Sequence, residues 1–389
     1  MLPSHFNNWL PVKVRFGAGI ARSLPEVLAE AGASKVLVMV DEGIENFNPA
    51  AKAALEHLWA TPGLTLSRFD KPPAEPTIEM VDAATAAVAD ARAQAIVAIG
   101  GGSVMDTAKA ARLCAQLGVS FKDFLTTSPG YPVPEVALVC LPTSAGTGSE
   151  VSGGAVVSDP EAGRKAGIAN AHMRAQFALV DPELTVSMPP AMTAHTGIDA
   201  LAQAIAGILA RVATPIGDGI GYEAISLMSG ALRTAYRDGS DLDARAAMSA
   251  GSMMAGLTMN ISDCTAEHSL GQAIGGLRHV PHGLTIGLVL AEVLEREAGV
   301  VPAKLERIAD AMGVPADGTA DGSRLIRAVR ELLADLDFPV LSTLEISEAD
   351  LGTLADAALS DFFITMAPTD WTRDEVLSAF STALALEHR

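Results

Sequence analysis

Apolar residues fall along this chain in two rhythms. In the first half they come in short unbroken runs, at 35–40 (KVLVMV), 95–99 (AIVAI) and 136–141 (VALVCL), with a weaker run at 177–180 (FALV). Continuous β-branched runs without polar alternation suit strands covered on both faces. Ala-rich stretches of helical character lie between them, at 24–31, 49–59 and 78–91. This alternation predicts an α/β domain with a mostly parallel sheet and helices on both of its faces. Near Pro189 and Pro190 the rhythm changes. Long Ala/Leu/Met-rich segments at 196–211, 219–236, 244–259, 284–297, 323–336 and 373–387 predict helices, with few strand signals. The expected organisation is an α/β domain over residues 1–187 followed by an all-helical domain over 188–389.

Composition narrows the partners. Of 389 residues, 49% are hydrophobic and 19% charged, so material for a large core is present. The mean hydropathy of +0.30 raises the question of a membrane. No apolar run reaches the ~18 residues of a spanning helix, so the apolar material reads as buried layers. A formal net charge of −19 with 4% aromatics excludes a general basic surface for nucleic acid and argues against docking on an anionic membrane. Residues 1–10 lack a basic segment followed by an apolar one, so no secretory leader is expected. Cys114, Cys140 and Cys264 are odd in number, widely spaced and form no CxxC pair. They read as buried thiols of a cytoplasmic protein.

Two loops carry candidate chemistry. Gly100, Gly101, Gly102 and Ser103 follow the 95–99 run, and Asp106 stands where a helix would open. A strand, a glycine turn and a helix N-terminus make an anion site, because backbone N–H groups and the helix dipole face the ligand. The pattern is neither GxGxxG nor GxxxxGK[ST], and a tight turn alone would also call for glycine. Asp41 ends the 35–40 run, where an acidic side chain accepts from ribose hydroxyls or simply occupies a turn. Together with the glycine loop it favours NAD over NADP. After the 136–141 run comes PTSAGTGSE, whose Thr143, Ser144 and Thr147 hydroxyls suit ribose or phosphate, or an ordinary polar loop.

A second constellation lies in the helical half. Asp199 and Gln203 are four apart and share a helix face. His268 and His282 follow at wide spacing. One carboxylate and two imidazoles suit Zn(II) or Fe(II), although a histidine at such spacing is also an ordinary structural residue.

Taken together, these stretches resemble the iron-containing (group III) alcohol dehydrogenase family, related to glycerol dehydrogenase, dehydroquinate synthase and maleylacetate reductase. The matching pieces are residues 11–28, 36–43, 100–110 (GGGSVMDTAKA), 141–152 (LPTSAGTGSEVS), 178–201 and 280–283 (VPHG), in family order over nearly the whole chain. The resemblance implies an N-terminal NAD-binding domain, a helical domain and an active-site cleft between them. It implies reversible interconversion of a small alcohol with its aldehyde or ketone, with a metal polarising the substrate oxygen during hydride transfer. It further implies a homo-oligomer. It carries a cofactor-contacting lysine onto Lys165 and an adenosine neighbour onto Leu184. Where the family's metal helix reads D-x-x-x-H, this chain has Asp199 and Gln203; where the next segment reads H-x-x-x-H, it has His268 and Gln272. Three of four usual ligands remain, and Gln203 offers an amide oxygen in place of the fourth. Gln272 cannot titrate, so it is expected to orient substrate. His279 is the candidate proton shuttle. Pocket positions are expected at Ser152, Met259, Gln272, His279 and Phe363. The alternatives are a metal-independent reductase of the maleylacetate reductase type, a dehydroquinate-synthase-like lyase, and a non-catalytic NAD-binding protein.

Overall fold

The computed structural model describes residues 8–72, 75–159 and 164–386. The first seven residues, on which most of the leader expectation falls, and Glu387, at the end of the last expected helix, lie outside them. Two compact units are present, one of Trp9–Ser187 and one of Asn8 together with Met188 onward.

In the first unit the elements run β1 (Lys13–Phe16), α1 (Leu24–Glu30), β2 (Lys35–Asp41), α2 (Pro49–Trp59), β3 (Thr65–Lys71), α3 (Ile78–Asp90), β4 (Ala95–Gly100), α4 (Gly102–Leu117), α5 (Phe121–Thr127), β5 (Ala137–Pro142), β6 (Gly154–Asp159), β7 (Arg164–Ala169) and β8 (Phe177–Val180). Six strands form a sheet in the order β1-β8-β5-β4-β2-β3, parallel throughout. Alternate residues of one run feed opposite cores. Val36, Val38 and Val40 of β2 pack with Leu24, Val27 and Leu28 of α1 and with Leu55 and Leu58 of α2. Leu37 and Met39 pack with Ala84 and Val88 of α3 and Val104 and Ala108 of α4. The unbroken apolar character of these strands therefore reflects two covered faces. The edge strands β1 and β3, with sequences KVRF and TLSRFDK, are partly exposed and carry no such run, so periodicity did not reveal them. The antiparallel pair β6–β7 is a separate two-stranded sheet.

The order of the strands places a switch point between β2 and β4. From β2 the chain moves outward to β3, whereas from β4 it moves the other way to β5. The crevice at the carboxyl ends of such a strand pair is where α/β sheets hold ligands. Asp41 and Gly100 end those two strands.

The second unit is helical among its described residues: α6 (Pro190–Leu209), α7 (Pro215–Arg237), α8 (Leu242–Ser262), α9 (Ala266–Arg278), α10 (His282–Ala298), α11 (Pro302–Ala311), α12 (Ser323–Asp335), α13 (Leu351–Ser360) and α14 (Arg373–Ala385), with short 3-10 turns between. Helix α6 is buried along almost all of its last three turns, which explains its continuous small and apolar sequence. It packs against α7, α8 and α10, and α9 packs on α10. No helix among the described residues is long and apolar enough to cross a membrane.

Candidate functional site

At the carboxyl end of the sheet, β4 runs directly into α4, whose N-cap is Gly101 and which has no side-chain cap. Its first N–H groups are therefore left for a ligand. Small residues are required here by close approach. A Cβ on Gly100 would lie 2.8 Å from Asp41 Oδ2, and one on Gly102 would lie 2.8 Å from Thr147 Cγ2. The Gly101 N–H points at Asp41 Oδ2 at 3.5 Å. Burial pushes the Asp41 carboxyl up, against the pull of the Lys71 charge. Thr143 N–H donates to Gly100 O at 3.0 Å, so the loop after β5 is tied to the glycine turn. Ser103, Thr143, Ser144 and Thr147 are all half-buried around this turn. Asp41, Gly100–Ser103 and the Thr143/Ser144/Thr147 loop thus come together from three segments.

Three other expected nucleotide contacts are engaged elsewhere. Asp106 accepts from Ser149 Oγ at 2.7 Å and from Val156 N–H at 3.0 Å, bracing the loop after β5 and the β6 strand. The buried Lys109 extends this brace, donating to Ser149 Oγ at 2.7 Å and Gly154 O at 2.8 Å. Ser152, read as a pocket position, is buried beside the same amine at 3.4 Å. Lys165, on β7, pairs with Glu75 at 2.6 Å. Leu184 is fully buried in the core with α2, its carbonyl accepting from Asn48 Nδ2 at 2.8 Å.

In the helical unit, four side chains from three helices converge. Asp199 and Gln203 lie on one buried face of α6, His268 in the first turn of α9, and His282 at the first position of α10. Glycine sets the helix spacing. A Cβ on Gly283 would lie 2.2 Å from His195 O and 3.1 Å from Asp199 Cβ, so the α10 start is pressed onto α6. Asp199 Oδ1 is 3.7 Å from His268 Nε2 and 3.8 Å from His282 Nε2. These separations exceed a hydrogen bond. One donor atom from each of Asp199, His268 and His282 lies within 4.8 Å of the others. A cation with ~2.1 Å bonds holds tetrahedral donors roughly 3.4 Å apart, so a small contraction closes the set on an ion.

The unpartnered atoms make the same point. Asp199 Oδ1, Gln203 Oε1 and His268 Nε2 are buried without a hydrogen-bond partner. Leaving such groups unsatisfied costs about 1–3 kcal/mol each, more when charged. Burial works against ionising Asp199, yet the His268 and His282 imidazoles and the Gln203 amide hold it below the usual carboxylate range. Burial likewise opposes a charge on His268, but Cys264, Asp199 and Glu267 push it well above the ordinary imidazole range. The donor set of two imidazoles, one carboxylate and one amide oxygen therefore fits a divalent cation such as Zn(II) or Fe(II).

His282 is the accessible member of this set, with its side chain 37% exposed against 3–4% for Asp199 and His268. The Phe363 ring stands 6.0 Å from that of His268. Gln272 is half-buried one helical turn beyond His268. Met259, another expected pocket residue, is half-buried in the last turn of α8. His279 is exposed and caps α9 in the left-handed region with φ 51°. The three cysteines are free and buried. Glu267 is the residue that the sequence pattern did not single out. A glutamate in the first turn of a helix reads as a solvated partner of the dipole. Here it is buried and its Oε1 accepts from His268 Nδ1 at 2.8 Å. The adjacent Glu-His pair was the signal that could have found it.

Comparison with known proteins agrees over the whole length. Residues 11–182 match the family model of iron-containing alcohol dehydrogenase, and residues 193–384 match that of the Fe-containing alcohol dehydrogenase family, C-terminal. The chain is 33% identical over 357 residues to choline dehydrogenase of Bacillus subtilis (strain 168), covering 90% of this chain and 88% of that protein. It is 30% identical over 374 residues to lactaldehyde reductase of Escherichia coli (strain K12), covering 95% and 97%. The crystal structure of sulfoacetaldehyde reductase from Bifidobacterium kashiwanohense in complex with NAD+ matches with a TM-score of 0.90 and 26% identity, over 99% of this chain and 100% of that one.

Proposed function

The chain belongs to the iron-containing alcohol dehydrogenase family, and on that premise we propose that it interconverts a small alcohol and its aldehyde or ketone with NAD(H), at a centre where Asp199, Gln203, His268 and His282 hold a divalent cation. The observation that carries the reading is the set of three buried, unpartnered donor atoms on Asp199, Gln203 and His268. Apolar residues would pack such a site at no polar cost, so these atoms are retained for a ligand.

A cation held there supplies Lewis acidity toward the substrate oxygen, and the nicotinamide supplies or accepts the hydride. The chain's own residues supply the rest. The free N–H groups of the α4 start receive the pyrophosphate, and Asp41 accepts from the adenosine ribose, which favours NAD over NADP. Thr143, Ser144 and Thr147 position the nicotinamide end. The partly exposed His282 marks the side from which substrate arrives, with Phe363 as an apolar wall and Gln272 orienting the polar group. The exposed His279 passes the proton to solvent. The enzyme works as a cytoplasmic homo-oligomer with neither nucleic acid nor membrane as partner, a reading supported by the family and by the −19 charge.

The test is metal analysis of the purified protein together with NADH turnover over a panel of short aldehydes, semialdehydes and ketoacids. Removal of metal by a chelator is expected to lower turnover at least about 100-fold, with recovery on adding Zn(II) or Fe(II). Full turnover by metal-free protein would make it a metal-independent reductase. Substrate conversion with no net change in NADH would make it a lyase.

A further inference from the structure

We propose that Glu267 is a positioning residue for the metal centre: it fixes the ring of His268 with Nε2 toward the ion and supplies the second negative charge that a buried dication needs. The inference rests on the metal reading above and adds to it a residue outside the ligand set.

The geometry is specific. Glu267 Oε1 accepts from His268 Nδ1 at 2.8 Å. With the Nδ1 proton committed to this bond, the Nε2 lone pair is the one left for the ion, and Nε2 is the buried unpartnered atom. The carboxylate is itself held: Oε2 accepts from Thr265 Oγ1 at 2.5 Å, and Oε1 also accepts from Thr265 N–H at 3.2 Å. Glu267 and Thr265 are both buried, so the arrangement is rigid.

The charge balance points the same way. The ligands Asp199, Gln203, His268 and His282 carry one formal negative charge among them. A dication bound by them alone would leave about one uncompensated positive charge in a site whose Asp199 and His268 are 2–3% exposed. A buried unpaired charge is strongly unfavourable. Glu267, one bond path behind His268, brings the sum to zero. It offsets part of what is lost when the fourth ligand is an amide oxygen and not an imidazole.

The same carboxylate also closes the start of α9 through Thr265, so a purely structural role has to be separated. The metal-free parent, E267Q and T265V are titrated with Zn(II) and with Co(II), whose absorption bands report ligand geometry. Thermal melting of each metal-free protein is measured beside them. E267Q keeps the shape and a hydrogen-bond acceptor while removing the charge. It is expected to weaken metal binding about 10- to 100-fold and to alter the Co(II) bands. T265V is isosteric, leaves the carboxylate in place and is expected to lose less, about 3- to 10-fold; it decides the matter if E267Q does not fold. A parent that binds metal together with variants that bind equally well, whatever their melting temperatures, overturns the proposal and leaves the metal reading intact. A parent that takes up no metal overturns both.

Discussion

Replacing Gly283 with alanine puts a methyl group 2.2 Å from the carbonyl oxygen of His195 and 3.1 Å from Asp199 Cβ. The first contact is with backbone in the interior of α6, so no side chain can swing aside. Recovering a van der Waals separation requires the α10 start to retreat by roughly 1 Å. His282, the preceding residue, moves with it. Overpacking of this kind costs about 1–3 kcal/mol, which for a unit of this size lowers the melting temperature by several degrees at about 2–4 °C per kcal/mol. Metal sites tolerate only about 0.2 Å in ligand distance, so Zn(II) affinity falls with it, and turnover falls about 100-fold for a displacement near 1 Å. The control is Gly276, in the last turn of α9, where an added Cβ would meet nothing within 4 Å. G276A is expected to stabilise by about 0.5–1 kcal/mol and to leave metal binding unchanged. The assays are thermal melting and isothermal titration with Zn(II) on metal-free G283A, G276A and parent. A G283A protein that melts with the parent and binds zinc with the parent's affinity would refute the claim that this glycine sets the position of His282.

A pH effect on stability is expected from Glu297. Burial raises its carboxyl to about 7, against the Arg296 charge and the Trp371 hydrogen bond, whereas the unfolded value is 4.5. Between those values the native state holds a proton that the unfolded state has lost, so this contribution declines as pH rises through 4.5–7 and then levels off. The stability of E297Q relative to the parent should therefore grow by about 2–3 kcal/mol from about pH 5 to pH 8 in urea unfolding, and a pH-independent difference would remove the assignment. In the other unit, G102A drives a methyl group into Thr147 at 2.8 Å and spreads the two nucleotide loops. NADH binding measured by fluorescence should weaken about tenfold or more while Zn(II) affinity stays at the parental value; unchanged NADH affinity would show that these loops do not meet around the cofactor.

Much of the fold was legible because burial on two faces leaves a mark that needs no coordinates. The 35–40, 95–99 and 136–141 runs correspond to β2, β4 and β5, and the expected helices at 49–59 and 78–91 to α2 and α3. Edge strands were not legible: β1 and β3 have one partner each, are partly exposed, and show neither a continuous nor a cleanly alternating pattern. Helix α9 was missed for a related reason. TAEHSLGQ mixes polar and small residues because its buried face holds His268, Glu267 and Ser269 and not a row of leucines.

Residue order alone was enough to locate the glycine turn, the carboxylate at the end of β2 and the chemical types at Asp199, Gln203, His268 and His282, because each depends on a local backbone need or on a chemical type. Which of the candidates lie side by side depends on packing. Asp106 is a brace and Leu184 a core residue because partners far along the chain claim them, Val156 and Ser149 in one case and α2 in the other. Asp199 and His282 are 83 positions apart and meet because a glycine lets α10 sit against α6. Glu267 acquires its role in the same way: a surface residue by its pattern, it lies buried against His268, where a charge has to answer another charge.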